Sequence, residues 1–174
     1  RFLKILMTVA LRFFYKHLHV AGLEHVPDKG PVILIANHHA SLMDAVLIGI
    51  TMKRPVYFFT RGDVFVNPFV NKLLSWMHML PVHNHEKGRG TLQDNKDSFS
   101  VAQQVLLKGG VIVFFPESNN HIKRQLLPFR KGVFRLAFQT ATIAHFSFDI
   151  PLVPIGITYE HPKKSGTEVL LKVG

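Results

Sequence analysis

Apolar residues in this chain follow two rhythms, one unbroken over short runs and one spaced at three and four residues. Val32-Ile33-Leu34-Ile35 and Val111-Ile112-Val113-Phe114-Phe115 are continuous apolar runs, the pattern of strands buried on both faces. Reading the chain this way predicts strands over 16–20, 32–36, 56–60, 79–83, 111–115, 152–157 and 168–173. Helical spacing predicts helices over 43–52, 68–77, 91–108 and 132–144. Asn67 followed by Pro68 opens one helix as cap and first position, and Gly109-Gly110 closes another. Continuous apolar strands separated by helices define an α/β domain, with a mostly parallel or mixed central sheet covered by helices on both faces. No repeat, linker or low-complexity tract divides the chain, so residues 16–174 are expected to form one domain.

Residues 1–15 stand apart. Arg1, Lys4, Thr8, Arg12 and Lys16 recur at helical intervals and make one narrow polar stripe, with apolar residues around the rest. The uncharged stretch from Ile5 to Leu11 falls far short of the roughly 20 residues that span a bilayer. A small-residue cleavage site is also missing, so the segment does not read as a cleavable signal peptide. An amphipathic helix lying in the membrane interface fits the pattern, and a helix docked on the domain's own core is the other reading.

Composition narrows the partners. The chain has 174 residues, a formal net charge of +10 and no cysteine. The length suits one domain with a sizeable core. The charge implies attraction to phosphate-rich partners: an anionic membrane, a nucleotide-bearing donor, an acidic carrier protein or nucleic acid. The missing cysteines exclude disulfides, thiolate metal sites and thiol nucleophiles, and fit a reducing compartment. Both ends read as trimmed, since the first residue is Arg1 and the chain stops just after the strand-like 168–173.

Candidate chemistry begins at Asn37-His38-His39-Ala40-Ser41-Leu42-Met43-Asp44, directly after an apolar strand. An imidazole paired with a carboxylate is a simple general base, because the carboxylate holds one tautomer and favours the cation formed on protonation. Asp44 would lie near a helix N-terminus, where negative charge is favoured. Polar loops follow the later strands: Arg61-Gly62-Asp63, then His83-Asn84-His85-Glu86-Lys87-Gly88-Arg89, then Pro116-Glu117-Ser118-Asn119, then Leu127-Pro128-Phe129-Arg130-Lys131-Gly132. A Gly-x-Ser-x-Gly elbow and a His-Glu-x-x-His zinc motif are both lacking, and no metal or other cofactor is expected.

Taken in order, these blocks resemble the glycerophospholipid acyltransferases, whose members include enzymes acylating lysophosphatidate. The His…Asp block lies at 37–44 and the second block around 79–89. Phe115-Pro116-Glu117-Ser118 corresponds to the Phe-Pro-Glu-Gly block, and Val153-Pro154-Ile155-Gly156 to the Val-Pro-Ile/Val-Gly block. Arg61-Gly62-Asp63-Val64-Phe65 with Asn67-Pro68-Phe69 and Met79-Leu80-Pro81 looks most like the branch common in Bacteroidetes-type bacteria. The resemblance implies direct acyl transfer from acyl-CoA or acyl carrier protein to a hydroxyl of a lysolipid acceptor. One histidine serves as base, Asp44 orients it, and no acyl-enzyme forms. The usual family spacing selects His39, whereas the branch spacing, with five intervening residues, selects His38; the latter is preferred, and both remain candidates.

The resemblance further implies substrate contacts from Glu117, Ser118, Asn84, Arg89, Lys123, Arg124 and Lys131, the cations suiting phosphates or an acidic carrier protein. Asn84 stands where the family has an arginine thought to hold the acceptor's phosphate, and Ser118-Asn119 where it has Gly-Thr. These departures leave the reaction type intact and open the acceptor to a lyso-amino-acid lipid of glycine or ornithine type. The expected setting is the cytoplasmic face of the inner or plasma membrane, with monotopic or peripheral attachment to anionic lipids. A non-catalytic basic module binding membrane or nucleic acid is the rival class. Nucleic acid is not the expected partner, because most of the fifteen phenylalanines fall in strand or helix patterns that predict burial.

Overall fold

The computed structural model describes residues 2–65, 67–82, 92–117 and 125–174. Seven strands make one mixed sheet: β1 (His17–Ala21), β2 (Val32–Ala36), β3 (Val56–Arg61), β4 (Met79–Val82), β5 (Val111–Phe114), β6 (Leu152–Tyr159) and β7 (Glu168–Val173), in the order β1-β7-β6-β2-β5-β3-β4. Strands β6, β2, β5, β3 and β4 run parallel to one another, β7 runs antiparallel to β6, and β1 pairs parallel with β7. Among the described residues five α-helices accompany the sheet: α1 (Phe2–Phe14), α2 (Leu42–Thr51), α3 (Pro68–Trp76), α4 (Leu92–Leu107) and α5 (Gly132–Ile143).

Helices lie on both faces of the sheet. On one face, Leu11 and Tyr15 at the end of α1, Leu47 and Ile48 of α2 and the α3 residue Leu74 pack against Val32, Leu34, Val113 and Ile157. On the other, Ala102 and Leu106 of α4 with Val133 and Leu136 of α5 pack against Ile33 and Ile112. Strands β2 and β5 are therefore covered twice, which is why their sequences are unbroken apolar runs. The α4–α5 layer stops short of β6. Along that strand every second residue, from Val153 to Tyr159, is buried, while Leu152, Pro154, Gly156 and Thr158 are exposed on the opposite side.

Local chemistry sets the helix ends. The Asn67 side chain accepts a hydrogen bond from the Val70 amide at 2.9 Å and so caps α3. Gly132 opens α5 against Phe114, where an added Cβ would come within 3.1 Å of that ring. Lys4 of α1 donates to the Met52 carbonyl at the end of α2, at 2.5 Å, and its cation there complements the helix dipole. Burial lowers the pKa of this ammonium.

Topology places the chemistry. From β2 the chain turns into α2 on one face, and after β5 it continues to α5 on the other. Neighbouring strands whose connections leave to opposite faces open a crevice at their carboxyl ends.

Candidate active site

His38 lies two residues beyond β2, and its Nδ1 is 2.9 Å from Oδ2 of Asp44. Asp44 sits in the first turn of α2 and is wholly buried, at 0% exposure. A buried carboxylate needs its oxygens satisfied, and three groups do this. Oδ2 also accepts from the Ala40 amide at 2.9 Å, and Oδ1 accepts from the Tyr159 hydroxyl at 2.5 Å. The loop between them is wound tightly: Met43 and Asp44 donate their amides to Ala40 and Ser41. Ser41 pays for this turn with φ 54° and ψ −120°, a strained conformation for a residue with a side chain.

The residue before the histidine fixes the strand end. Asn37 donates Nδ2 to the Ile157 carbonyl at 2.8 Å and accepts the Ile157 amide on Oδ1 at 2.7 Å. Its amide stands in for one more backbone pair of the β2–β6 ladder. From the end of β5, Phe115 stacks on the His38 ring, with centroids 4.1 Å apart and planes inclined by 22°. Because a carboxylate only accepts, the ring donates Nδ1–H to Asp44, and this turns Nε2 away from the carboxylate.

His39 takes another direction. It lines an open groove of about 460 Å³ together with Asn37, Leu126, Phe129, Pro154 and Gly156. The floor of that groove is the uncovered side of β6, and its lining is largely apolar, of a size suited to a small ligand or a chain. The structure thus separates the two adjacent imidazoles. One pairs with Asp44, and the other faces the groove.

Glu117 is buried after β5 and accepts the Leu127 amide on Oε2 at 3.3 Å, while Arg130 donates its amide to the Pro116 carbonyl at 2.9 Å. These bonds tie the segment after residue 125 back to the end of β5. Lys131 is exposed at the start of α5. Asn84, Arg89, Ser118, Lys123 and Arg124 lie outside the described residues. Among the described residues no group of three or more His, Asp or Glu could hold a metal ion, and no helix is long and apolar enough to cross a membrane.

Two tyrosines were missed by the sequence reading. Tyr159 ends β6, two residues past the predicted strand, and the continuing alternation of Val153, Ile155, Ile157 and Tyr159 was the available signal. Burial, reinforced by the Asp44 charge and their hydrogen bond, raises the Tyr159 hydroxyl far above its ordinary pKa. Tyr15, packed 6.1 Å from the Tyr159 ring, is pushed up to about 12 by burial first and by Asp44 second.

The family model described as Acyltransferase matches residues 17–158, and the chain belongs to that family. It is 24% identical over 152 residues to the chloroplastic 1-acyl-sn-glycerol-3-phosphate acyltransferase BAT2 of Brassica napus, covering 87% of this chain and 40% of that protein. It is 28% identical over 123 residues to the 1-acyl-sn-glycerol-3-phosphate acyltransferase of Borreliella burgdorferi, covering 71% and 47%. The chain therefore spans less than half the length of these relatives. The crystal structure of the 1-acyl-sn-glycerophosphate acyltransferase PlsC from Thermotoga maritima shares the fold, with a TM-score of 0.63 at 21% identity over 90% of this chain and 59% of that one.

Proposed function

We propose that this domain carries out O-acyl transfer from an acyl thioester, acyl-CoA or acyl carrier protein, to a hydroxyl of lysophosphatidate at a membrane surface. The observation that carries the reading is the 2.9 Å contact between His38 Nδ1 and the buried Asp44. In the proposed step, Nε2 of His38 takes the proton of the acceptor hydroxyl as its oxygen attacks the thioester carbonyl. The carbon–sulfur bond then breaks, and the imidazolium returns the proton to the leaving thiolate. Asp44 keeps the ring in the competent tautomer and stabilises its transient charge. No group besides the acyl-carrying co-substrate is needed. The apolar groove beside Asn37 and His39 suits a fatty chain. Glu117 and Lys131, with Asn84, Arg89, Ser118, Lys123 and Arg124, are proposed to add polar contacts to the substrates. Relatives matching most of this chain carry the name of the lysophosphatidate reaction.

Attachment is proposed to be peripheral or monotopic, on the cytoplasmic face of anionic membranes. Helix α1 supports this by exposing Ile5, Leu6, Val9 and Phe13 next to the basic residue Arg12. A second acceptor is favoured by one observation: Asn84 replaces the arginine that the family resemblance assigns to phosphate. The test supplies labelled acyl-CoA and acyl carrier protein with lysophosphatidate and with a lyso-amino-acid lipid. Transfer to lysophosphatidate, lost about 10²–10⁴-fold in His38→Ala and largely kept in His39→Ala, is the expected result. Transfer only to the amino-acid lipid would replace the acceptor. Retention on nucleic acid with no acyl transfer would overturn the enzymatic reading.

A further inference from the structure

We propose that Tyr159 is a positioning residue for the His38–Asp44 pair, setting both the orientation and the effective basicity of the carboxylate that holds the imidazole. The inference rests on the general-base reading above and extends it by one residue.

The buried face of β6 carries Val153, Ile155, Ile157 and Tyr159. The first three need only fill space, and a phenylalanine would fill the fourth position equally well. The added hydroxyl instead ends 2.5 Å from Asp44 Oδ1, with Tyr159 only 3% exposed. Its placement is fixed from both sides. Asn37 clamps the β6 backbone at Ile157, two residues earlier, and the Tyr15 ring packs against the Tyr159 ring. A carboxylate turns readily about its last torsion. With Oδ1 held by Tyr159 and Oδ2 held by Ala40, only one direction remains for the contact to His38.

The electronic consequence has a definite sign. A donor on Oδ1 withdraws negative charge from the carboxylate that faces the imidazole. Removing it concentrates that charge on the His38 side, so the protonated ring is held more firmly and the free base returns only at higher pH. The ionisable groups around Asp44 are His38 from the β2 loop, Tyr159 of β6 and Tyr15 at the end of α1, with His39 and Glu117 at the same end of the sheet. Both phenols are raised above their ordinary range, so they remain protonated where the base would titrate.

Tyr159→Phe and Tyr15→Phe test the inference. The Tyr15 hydroxyl is buried with no hydrogen-bond partner, so its removal controls for losing a phenol near the same charge. Tyr159→Phe is expected to lower kcat/KM by about 10- to 100-fold and to move the acid limb of the pH profile to higher pH. The ¹⁵N resonances of the His38 ring should shift as well, whereas Tyr15→Phe leaves all three unchanged. Loss of activity in Tyr159→Phe with an unmoved pH limb and unmoved His38 resonances would overturn the proposal and leave the tyrosine a packing residue. If wild type transfers no acyl group, the acyltransferase reading fails, while a His38 ¹⁵N difference between wild type and Tyr159→Phe still supports the positioning role.

Discussion

At the scale of single residues, the site turns on a carboxylate that cannot be exchanged for its amide. Asp44 presents acceptors to an imidazole N–H, a backbone amide and a phenol. Asparagine offers one carbonyl oxygen and one NH₂, so at least one of those donors would meet another donor. Asp44→Asn is expected to lower kcat by about 10⁴-fold through the wrong histidine tautomer. It should also cost about 1–3 kcal/mol of stability for the mismatched buried groups; steady-state kinetics and thermal unfolding on the same preparation check both. A strand ending at 36 and a helix starting near residue 43 leave one short loop that carries both His38 and His39, so the sequence left two candidate partners for Asp44, and only the branch resemblance leaned to His38. The groove was not legible. Gly156 lies on its floor, and an added Cβ there would meet only the Lys172 carbonyl, at 4.0 Å. Protein packing leaves room for a larger side chain at this position. Gly156→Leu is therefore expected to fold normally while raising KM for long-chain donors more than for short ones, and equal effects at all chain lengths would separate the groove from the acyl chain.

At the scale of elements, the strands were readable where burial is double and less so where it is single. Strands β2 and β5 appear in the sequence as unbroken apolar runs because helices cover both sides. The alternating burial of β6 continues past the expected end at 157 to Tyr159, with Thr158 facing solvent. Sheet order is not written locally at all: β1 lies beside β7, about 150 residues further along the chain, through pairs such as His17 with Glu168. The junction of α1 and β1 carries its own prediction. Below about pH 10, Tyr15 is protonated in folded and unfolded chains alike. As pH rises further, the unfolded chain releases this proton first, because the folded residue holds it to about 12. Stability is thus complete below pH 10 and falls as pH climbs through that window, with Tyr159 acting in the same direction. Denaturant midpoints measured between pH 9 and 12 should fall less steeply in Tyr15→Phe than in wild type.

At the scale of the whole molecule, the direction of the strands decides which apolar groups share an end with the His38–Asp44 pair. Strand β7 runs opposite to β6, and β1 runs with β7, so the start of β1 lies level with the end of β6, where Tyr159 sits. Backbone bonds from Gly166 to Phe14 and from Lys16 to Thr167 hold the end of α1 there. Phe13, 87% exposed, is consequently at the same end of the molecule as the imidazole. Leu42 and Phe69, which open α2 and α3 beyond the carboxyl ends of β2 and β3, are exposed as well. In the proposed membrane attachment, the aromatic ring left in water at this end, on a chain of net charge +10, would enter lipid while the cations engage anionic headgroups. Inserting such a ring contributes roughly 1.5–3 kcal/mol, so Phe13→Asp should weaken binding to anionic vesicles about tenfold or more. The remaining electrostatic part should fall as added salt shortens the screening length below about 10 Å. Vesicle sedimentation across a salt series separates the two contributions. Binding that responds to salt but not to Phe13→Asp would assign attachment to charge alone and leave the exposed ring outside the membrane.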